Sequence, residues 1–371
     1  TLIDQPGGIY GDLLSLLRHS DLNIVNIESV FGDHGQPIPK DGPNLHGDVA
    51  TVKSLEQAPF HVACLANNHS MDFGVQGLAS TISLLRRSGI KPVGAGLNGS
   101  RAATPLIVSV KGVRIGIINC AEGEECRSRD GGPGAHGLIL PLVERRVAAL
   151  KRRADAVIVI FHGGREYAPL PPPYVVKALR CIAEAGADAV AAHHPHVPQG
   201  IEMYRGVPIA YSLGNFVFWQ ESSRYYQKVG YLLHLDFAKK GLAGFEISPY
   251  RMEADVLALL KGQAKMLFLQ DLQSVSEPLS QPESVLAAWD AFSDYHGGIK
   301  ARLRELAYEI EVMDDDPVAY AAKILNRFET PAHRELIVRG LRRILDGAPA
   351  EIPGWAASLV SRWSTSPYHE R

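Results

Sequence analysis

The 371-residue sequence is short of cysteine, of long apolar runs and of any excess of one charge. Its four cysteines, Cys64, Cys120, Cys126 and Cys181, form no Cys-x-x-Cys pair, which excludes a zinc ribbon and a thioredoxin-type motif. Cys120 and Cys126 are near enough in sequence for a disulfide, but three of the four sit in or beside apolar runs, where a thiol behaves as a small core residue. No stretch approaches the roughly 20 apolar residues that span a bilayer, and no basic segment leads into an apolar one at the start. A chain soluble as given is expected, cytoplasmic, or extracytoplasmic if an upstream anchor is missing. Lys plus Arg total 38 against 40 Asp plus Glu, a net charge of -2 that leaves no basic footprint for nucleic acid. The chain opens TLIDQPGG without a Met, so further residues are expected ahead of Thr1.

What is present is an apolar fraction of 46% with 21% charge, enough for one large core or two smaller ones. Short β-branched runs predict buried strands at Leu22–Ile27, Phe60–Leu65, Leu106–Val110, Val113–Ile118, Ala156–Phe161 and Val207–Tyr211. Between them, Gly77–Ser88, Leu142–Arg153 and Tyr174–Ala185 have helical periodicity. Hairpins at Lys111-Gly112 and Lys239-Lys240-Gly241, mixed with βα units, predict a mixed sheet or two packed sheets. From about residue 251 the pattern turns helical, over Val256–Leu272, Leu286–Val312, Val318–Phe328 and Arg334–Leu345, with breaks at prolines. An α/β domain over 1–250 and a helical extension over 251–371 are expected.

Fourteen histidines are the unusual feature of the composition, and four of them, His162, His193, His194 and His196, fall close together among apolar and Gly-rich residues. Polar clusters close four of the predicted strands: Asn26-Ile27-Glu28, Asn67-Asn68-His69, His162-Gly163-Gly164 and His193-His194-Pro195-His196. Imidazoles, carboxylates and amide oxygens gathered from several strand ends are what a divalent transition metal requires. A two-metal site needs a bridging carboxylate, for which Glu28 is the natural candidate. Alternate residues of an extended segment share a face, so His194 and His196 are expected to point together. Each cluster alone reads as a turn, a cap or a rim residue; four together favour a metal site.

The strings LNIVNIES, LANNHSMDFGVQGLASTISLL, FHGGREY and HHPHVPQGIEMYRGVPIAYSLGNFVF resemble the CapA family of capsule and poly-γ-glutamate biosynthesis proteins over about Leu13 to Asp236. The resemblance implies a calcineurin-like metallophosphatase fold, a two-sheet αββα sandwich. It implies one metal position formed by Glu28, Asn68, His162 and His194, with Glu28 bridging to a second that includes His196. It makes His69 the catalytic acid or base. Asn215 is then structural or faces substrate, as Asn26 and Asn67 do, while Asp72 and Glu166 are placed to orient imidazoles. Family members open with a strand ending in Gly-Asp. Asp4 and Asp12 end no apolar strand, so that motif is expected just upstream of Thr1.

The leading expectation is therefore a hydrolase that uses one or two divalent ions, with Mn, Fe, Zn and Ca undistinguished, on a phosphoester, peptide or polyglutamate substrate. The alternatives are a metal-dependent peptide epimerase and a non-catalytic polyglutamate-binding component that docks through Arg339, Arg342 and Arg343. Oligomeric state is left open by the sequence.

Overall fold

The computed structural model describes residues 6–32, 35–122, 126–218, 221–254, 256–347 and 351–368. Asp4 lies outside them. Three short parallel strands, β1 (Ile24–Asn26), β2 (Val62–Cys64) and β3 (Lys91–Val93), pair in the order β1-β2-β3. A larger sheet contains β4 (Leu106–Val110), β5 (Val113–Ala121), β6 (Ala156–His162), β7 (Ala189–His193), β8 (Ile201–Tyr204) and β9 (Val207–Ala210), in the order β8-β9-β7-β6-β5-β4. Its central strands are parallel and its two edges antiparallel. A third sheet is the meander β10 (Val229–Ala238), β11 (Gly241–Met252) and β12 (Leu257–Leu259).

Strand β6 explains the layering. Side chains alternate across a strand: Ile158 and Ile160 pack with Val62, Cys64 and Val93 between the sheets, while Val157, Val159 and Phe161 pack outward. That outer layer is helices α2 (Leu140–Lys151) and α3 (Pro173–Glu184), through Val143, Val147, Leu179 and Ile182. On the opposite side α1 (Gly74–Arg87) lays Leu78, Ile82 and Leu85 on Ala63 and Leu65, the i, i+4, i+7 stripe of an amphipathic helix. The molecule is thus helix, sheet, sheet, helix. This is the mixed α/β sandwich expected, with strands carried by the runs expected.

The helical region comprises α4 (Gly262–Ser276), α5 (Pro282–Tyr295), α6 (Gly298–Glu311), α7 (Pro317–Glu329), α8 (Pro331–Leu345) and α9 (Gly354–Thr365). It packs against the sandwich, with Trp363 stacked on Tyr226 at 3.8 Å and 6°. Several expectations need correction. The helix expected from Val256 starts at Gly262, because Leu257–Leu259 adds a strand to β11, and that sheet runs past residue 250. The long helix expected over Leu286–Val312 breaks at Gly297 (φ +81°) and Gly298 (φ +62°), conformations that glycine adopts without strain. Arg339 and Arg343 do not form an exposed docking face: their guanidinium groups fork onto Asp290 and Asp294 of α5. Asp12 pairs with Lys261 at 3.0 Å on the surface, away from the strand ends. Among the described residues the cysteines form no disulfide, and no helix is long and apolar enough to cross a membrane.

Among the described residues the outer edge of β1 pairs with no strand, and that of β10 is bridged only at its start, Gly230 to Gly214. Between them lies a cavity of about 850 Å³, floored by Ile158, Ile160 and Ala191 and ending on Glu28, His194 and His196. One buried polar link ties the sheets beside it: Asn119 of β5 accepts from Ala66 N at 2.7 Å and donates to Ile160 O at 3.2 Å. A Cβ on Gly94 (φ +90°) would meet Asn119 Oδ1 at 2.1 Å and Ala66 Cβ at 2.9 Å. Gly94→Ala is therefore expected to break this link and cost about 2–4 kcal/mol, read as a lower urea midpoint; an unchanged midpoint would contradict the packing described.

Candidate metal centre

The four strand ends converge. Glu28 follows β1, Asn67, Asn68 and His69 follow β2, His162 ends β6, and His194 and His196 follow β7. His162 Nε2 lies 2.9 Å from Asn68 Oδ1 and 3.5 Å from Glu28 Oε1. His196 Nε2 lies 3.9 Å from the same Glu28 oxygen. Ligand atoms of Glu28, His194 and His196 all fall within 4.8 Å of one another. The two sets expected around separate positions thus meet at one carboxylate oxygen.

The histidine pair reaches this point by a route the sequence did not suggest. Strand β7 ends at His193, and His194 (φ +102°) and His196 (φ +57°) both occupy left-handed backbone. The segment is a turn and not an extended strand, and the convergence of the two rings comes from that unusual backbone. Such conformations cost of order 1–3 kcal/mol each and persist where surrounding structure enforces them.

Hydrogen bonding and burial set the state of each of these groups. His196 Nδ1 lies 2.8 Å from Asn215 Oδ1, which can only accept, so the ring proton sits there and the Nε2 lone pair faces Glu28. Asn215 Nδ2 donates to Gln227 O at 3.1 Å, so this buried amide holds His196 and is a structural residue. Asn26 Nδ2 donates to Glu28 Oε2 at 3.1 Å, turning Oε1 towards the imidazoles. Glu28 Oε1, His162 Nδ1 and His194 Nδ1 are buried without hydrogen-bond partners. Burial pushes His194 down to about 3 and His162 well below its usual value, so both are neutral imidazoles. Burial raises the Glu28 carboxyl. Unpartnered neutral imidazole nitrogens gathered near an undonated carboxylate oxygen are a donor set that a divalent cation satisfies.

Beside this set stands His69. Its Nδ1 is 2.7 Å from Asp72 Oδ2 and 3.4 Å from Lys40 Nζ; the shorter contact decides the tautomer, leaving the lone pair on Nε2. Lys40 Nζ donates to Asp72 Oδ1 at 2.9 Å and to Asn68 O at 2.7 Å. Asp72 also accepts from Leu45 N at 2.6 Å, so it orients His69 and does not cap α1. Asn67 Nδ2 donates to Ile27 O at 2.7 Å and its Oδ1 accepts from His69 N at 3.0 Å, tying the β1 and β2 ends together. Burial raises Glu166, but the charges around it, that of Arg165 among them, outweigh it and hold this carboxylate below its usual value.

Sequence reasoning missed Lys40, in a loop without periodicity, and Glu122, one residue beyond β5. Glu122 Oε1 accepts from Tyr174 OH at 2.7 Å and from Gly164 N, bracing the His162-Gly163-Gly164 turn. A Cβ on Gly163 would lie 2.4 Å from Glu122 Cγ, which is why glycine stands there.

The architecture and the gathered strand-end histidines define a mixed α/β sandwich with a candidate metal centre where its strands end. The bacterial capsule synthesis protein family PGA_cap matches residues 5–220, and the chain belongs to it. It is 34% identical over 209 residues to the PGA biosynthesis protein CapA of Bacillus subtilis (strain 168), covering 56% of this chain and 54% of that protein. It is 30% identical over 254 residues to the capsule biosynthesis protein CapA of Bacillus anthracis, covering 64% of this chain and 61% of that protein. The chain therefore spans between half and two thirds of these relatives. Among solved structures, a 5'-nucleotidase precursor from Thermus thermophilus aligns with a TM-score of 0.39 and 16% identity, over 70% of this chain and 59% of that one.

Burial pushes the Glu122 carboxyl from 4.5 up to about 7. Below pH 4.5 folded and unfolded states both hold the proton. Between there and about 7 the unfolded chain releases it first, so this group's stability contribution falls as pH rises. Glu122→Gln, which keeps an acceptor for Gly164 and Tyr174, is expected to remove that slope and to be more stable than the parent at pH 8 by up to about 3 kcal/mol. Urea unfolding at pH 5 and pH 8 checks this; parallel profiles would contradict it.

Proposed function

We propose that this chain is a metal-dependent hydrolase acting on a phosphoester, peptide or polyglutamate substrate in capsule-type biosynthesis. The observation that carries the reading is the convergence of Glu28 Oε1 with the imidazoles of His162 and His196, beside a His69–Asp72 pair. Glu28, Asn68, His162, His194 and His196 would hold one or two divalent ions, which when bound polarise a substrate oxygen and bring a water's pKa towards about 7. The names of the CapA relatives support the capsule setting.

The residues themselves divide the remaining work. His69, with its Nδ1 proton held on Asp72, takes up at Nε2 the proton that the attacking water loses and delivers it to the leaving group. Lys40 pairs with Asp72 at 2.9 Å, which holds the carboxylate where it orients the His69 ring. Asn215 and Asn26 hold His196 and Glu28 in register, and Gly163 lets the chain pass close to Glu122.

Screening the metal-loaded chain against phosphodiesters and γ-glutamyl peptides tests the proposal. His69→Ala is expected to lower turnover by about a hundredfold or more with metal content unchanged, and His194→Ala to lower both. Full turnover in both variants would overturn the assignment.

A further inference from the structure

The corner between α7 and α8 lies beyond the stretch that the family match covers, yet it is joined to loops from both halves of the sandwich. Asn326, buried near the end of α7, donates from Nδ2 to Asp41 Oδ2 at 2.8 Å. Asp41 follows the Lys40 whose ammonium reaches Asp72 at 2.9 Å and Asn68 O at 2.7 Å, on the loop between β1 and β2. Thr330 Oγ1 donates to Asn326 Oδ1, so the amide is held at both ends.

His333, early in α8, makes the second connection: its Nε2 accepts from Arg165, on the loop between β6 and β7. Burial and then Arg165 push His333 down to about 3, so the ring is neutral and free to accept. The Asn326 main chain hydrogen-bonds the same ring, and the Asp41 charge acts on Arg165, so these contacts form one junction. What it joins are segments with little regularity of their own. Residues 36–45 form neither helix nor strand. Across from them Tyr167 (φ +62°), His194 (φ +102°) and His196 (φ +57°) hold left-handed backbone, which persists where surrounding structure enforces it. The Arg165 loop supplies that enforcement: Gly163 N donates to His193 O at 3.1 Å and Tyr167 N to Pro195 O at 2.8 Å, one bond on each side of His194. A continuous path thus runs from the His69–Asp72 pair, through the corner, to the histidine turn.

We propose that this corner is a clasp: Asn326 and His333 are positioning residues that fix the spacing between the His69–Asp72 pair and the histidines of the other sheet, which makes the helical region part of the site. The proposal rests on the functional reading above for what that spacing serves; the contacts themselves do not depend on turnover. A misplacement of about 1 Å in such a spacing costs on the order of a hundredfold in rate, so a clasp that opens slightly is felt.

Asn326→Asp sets a carboxylate against that of Asp41 and tests the clasp directly. In the metal-free full chain, ring-nitrogen NMR spectra are expected to show His69 as a single tautomer with its proton on Nδ1, and Asn326→Asp to turn this into a mixture. In the metal-loaded chain the same variant is expected to lower kcat on a phosphodiester or γ-glutamyl peptide probe at least tenfold, with KM within twofold of the parent. Adding Asp41→Asn restores a donor and an acceptor in reversed order and is expected to restore both readings, which a general loss of stability would not allow. His333→Ala is expected to lower divalent-ion affinity several-fold by releasing the Arg165 loop, with the His69 tautomer unchanged. Where Asn326→Asp does not fold, Asn326→Ala takes the same readings. An unchanged tautomer with unchanged kcat, or losses that Asp41→Asn fails to rescue, overturn the clasp. If the parent turns over neither probe, the hydrolase reading fails while the tautomer still decides the clasp; turnover that Asn326→Asp leaves untouched is the reverse.

Discussion

The buried Glu28 carboxylate is the constraint around which the site is arranged. Its Oε1 has no hydrogen-bond donor and faces imidazole nitrogens of His162 at 3.5 Å and His196 at 3.9 Å. A carboxylate so placed is unfavourable unless a cation joins it. The surrounding amides enforce the arrangement and do not relieve it: Asn26 takes the other carboxylate oxygen, and Asn215 fixes the His196 tautomer that aims a lone pair at Glu28.

The fold supplies this geometry by ending parallel strands of two sheets at one edge. Glu28 and Asn68 follow strands of one sheet, and His162, His194 and His196 end or follow strands of the other, so the centre depends on how the sheets are held together. Asn119 is a direct polar link between them, and the apolar layer of Ile158, Ile160, Val62 and Cys64 sets their separation. Side chains at strand ends are positioned by the sheet backbone, whereas His69 and Lys40 sit on loops that brace each other and Arg165 is held by His333 of the helical region.

Much of this was legible in the sequence, for identifiable reasons. The apolar run ending in His162 marks a strand because a central parallel strand is buried on both faces, and Asn26, Asn67 and His69 were legible as polar residues closing such runs. The convergence of His194 and His196 was foreseen with the wrong cause, since positive φ at two non-glycine residues leaves no periodic trace. Leu257–Leu259 reads as helix or strand until its partner β11 is known, because a short apolar run carries no period of its own. Lys40, Glu122 and His333 act through contacts between segments far apart in sequence, to which a single-chain pattern is blind. Arg339 and Arg343 sit at helical spacing as a free basic face would, and only the facing α5 reveals their carboxylates.

Metal content after loading and gel filtration tests most directly whether Glu28 is the joint of a metal centre. Elemental analysis of the full chain should give at least one tightly held divalent ion, and Glu28→Gln, with the same circular dichroism and melting in metal-free buffer, should retain almost none. Equal metal content in the two proteins, or none in the loaded parent, would contradict that role for Glu28.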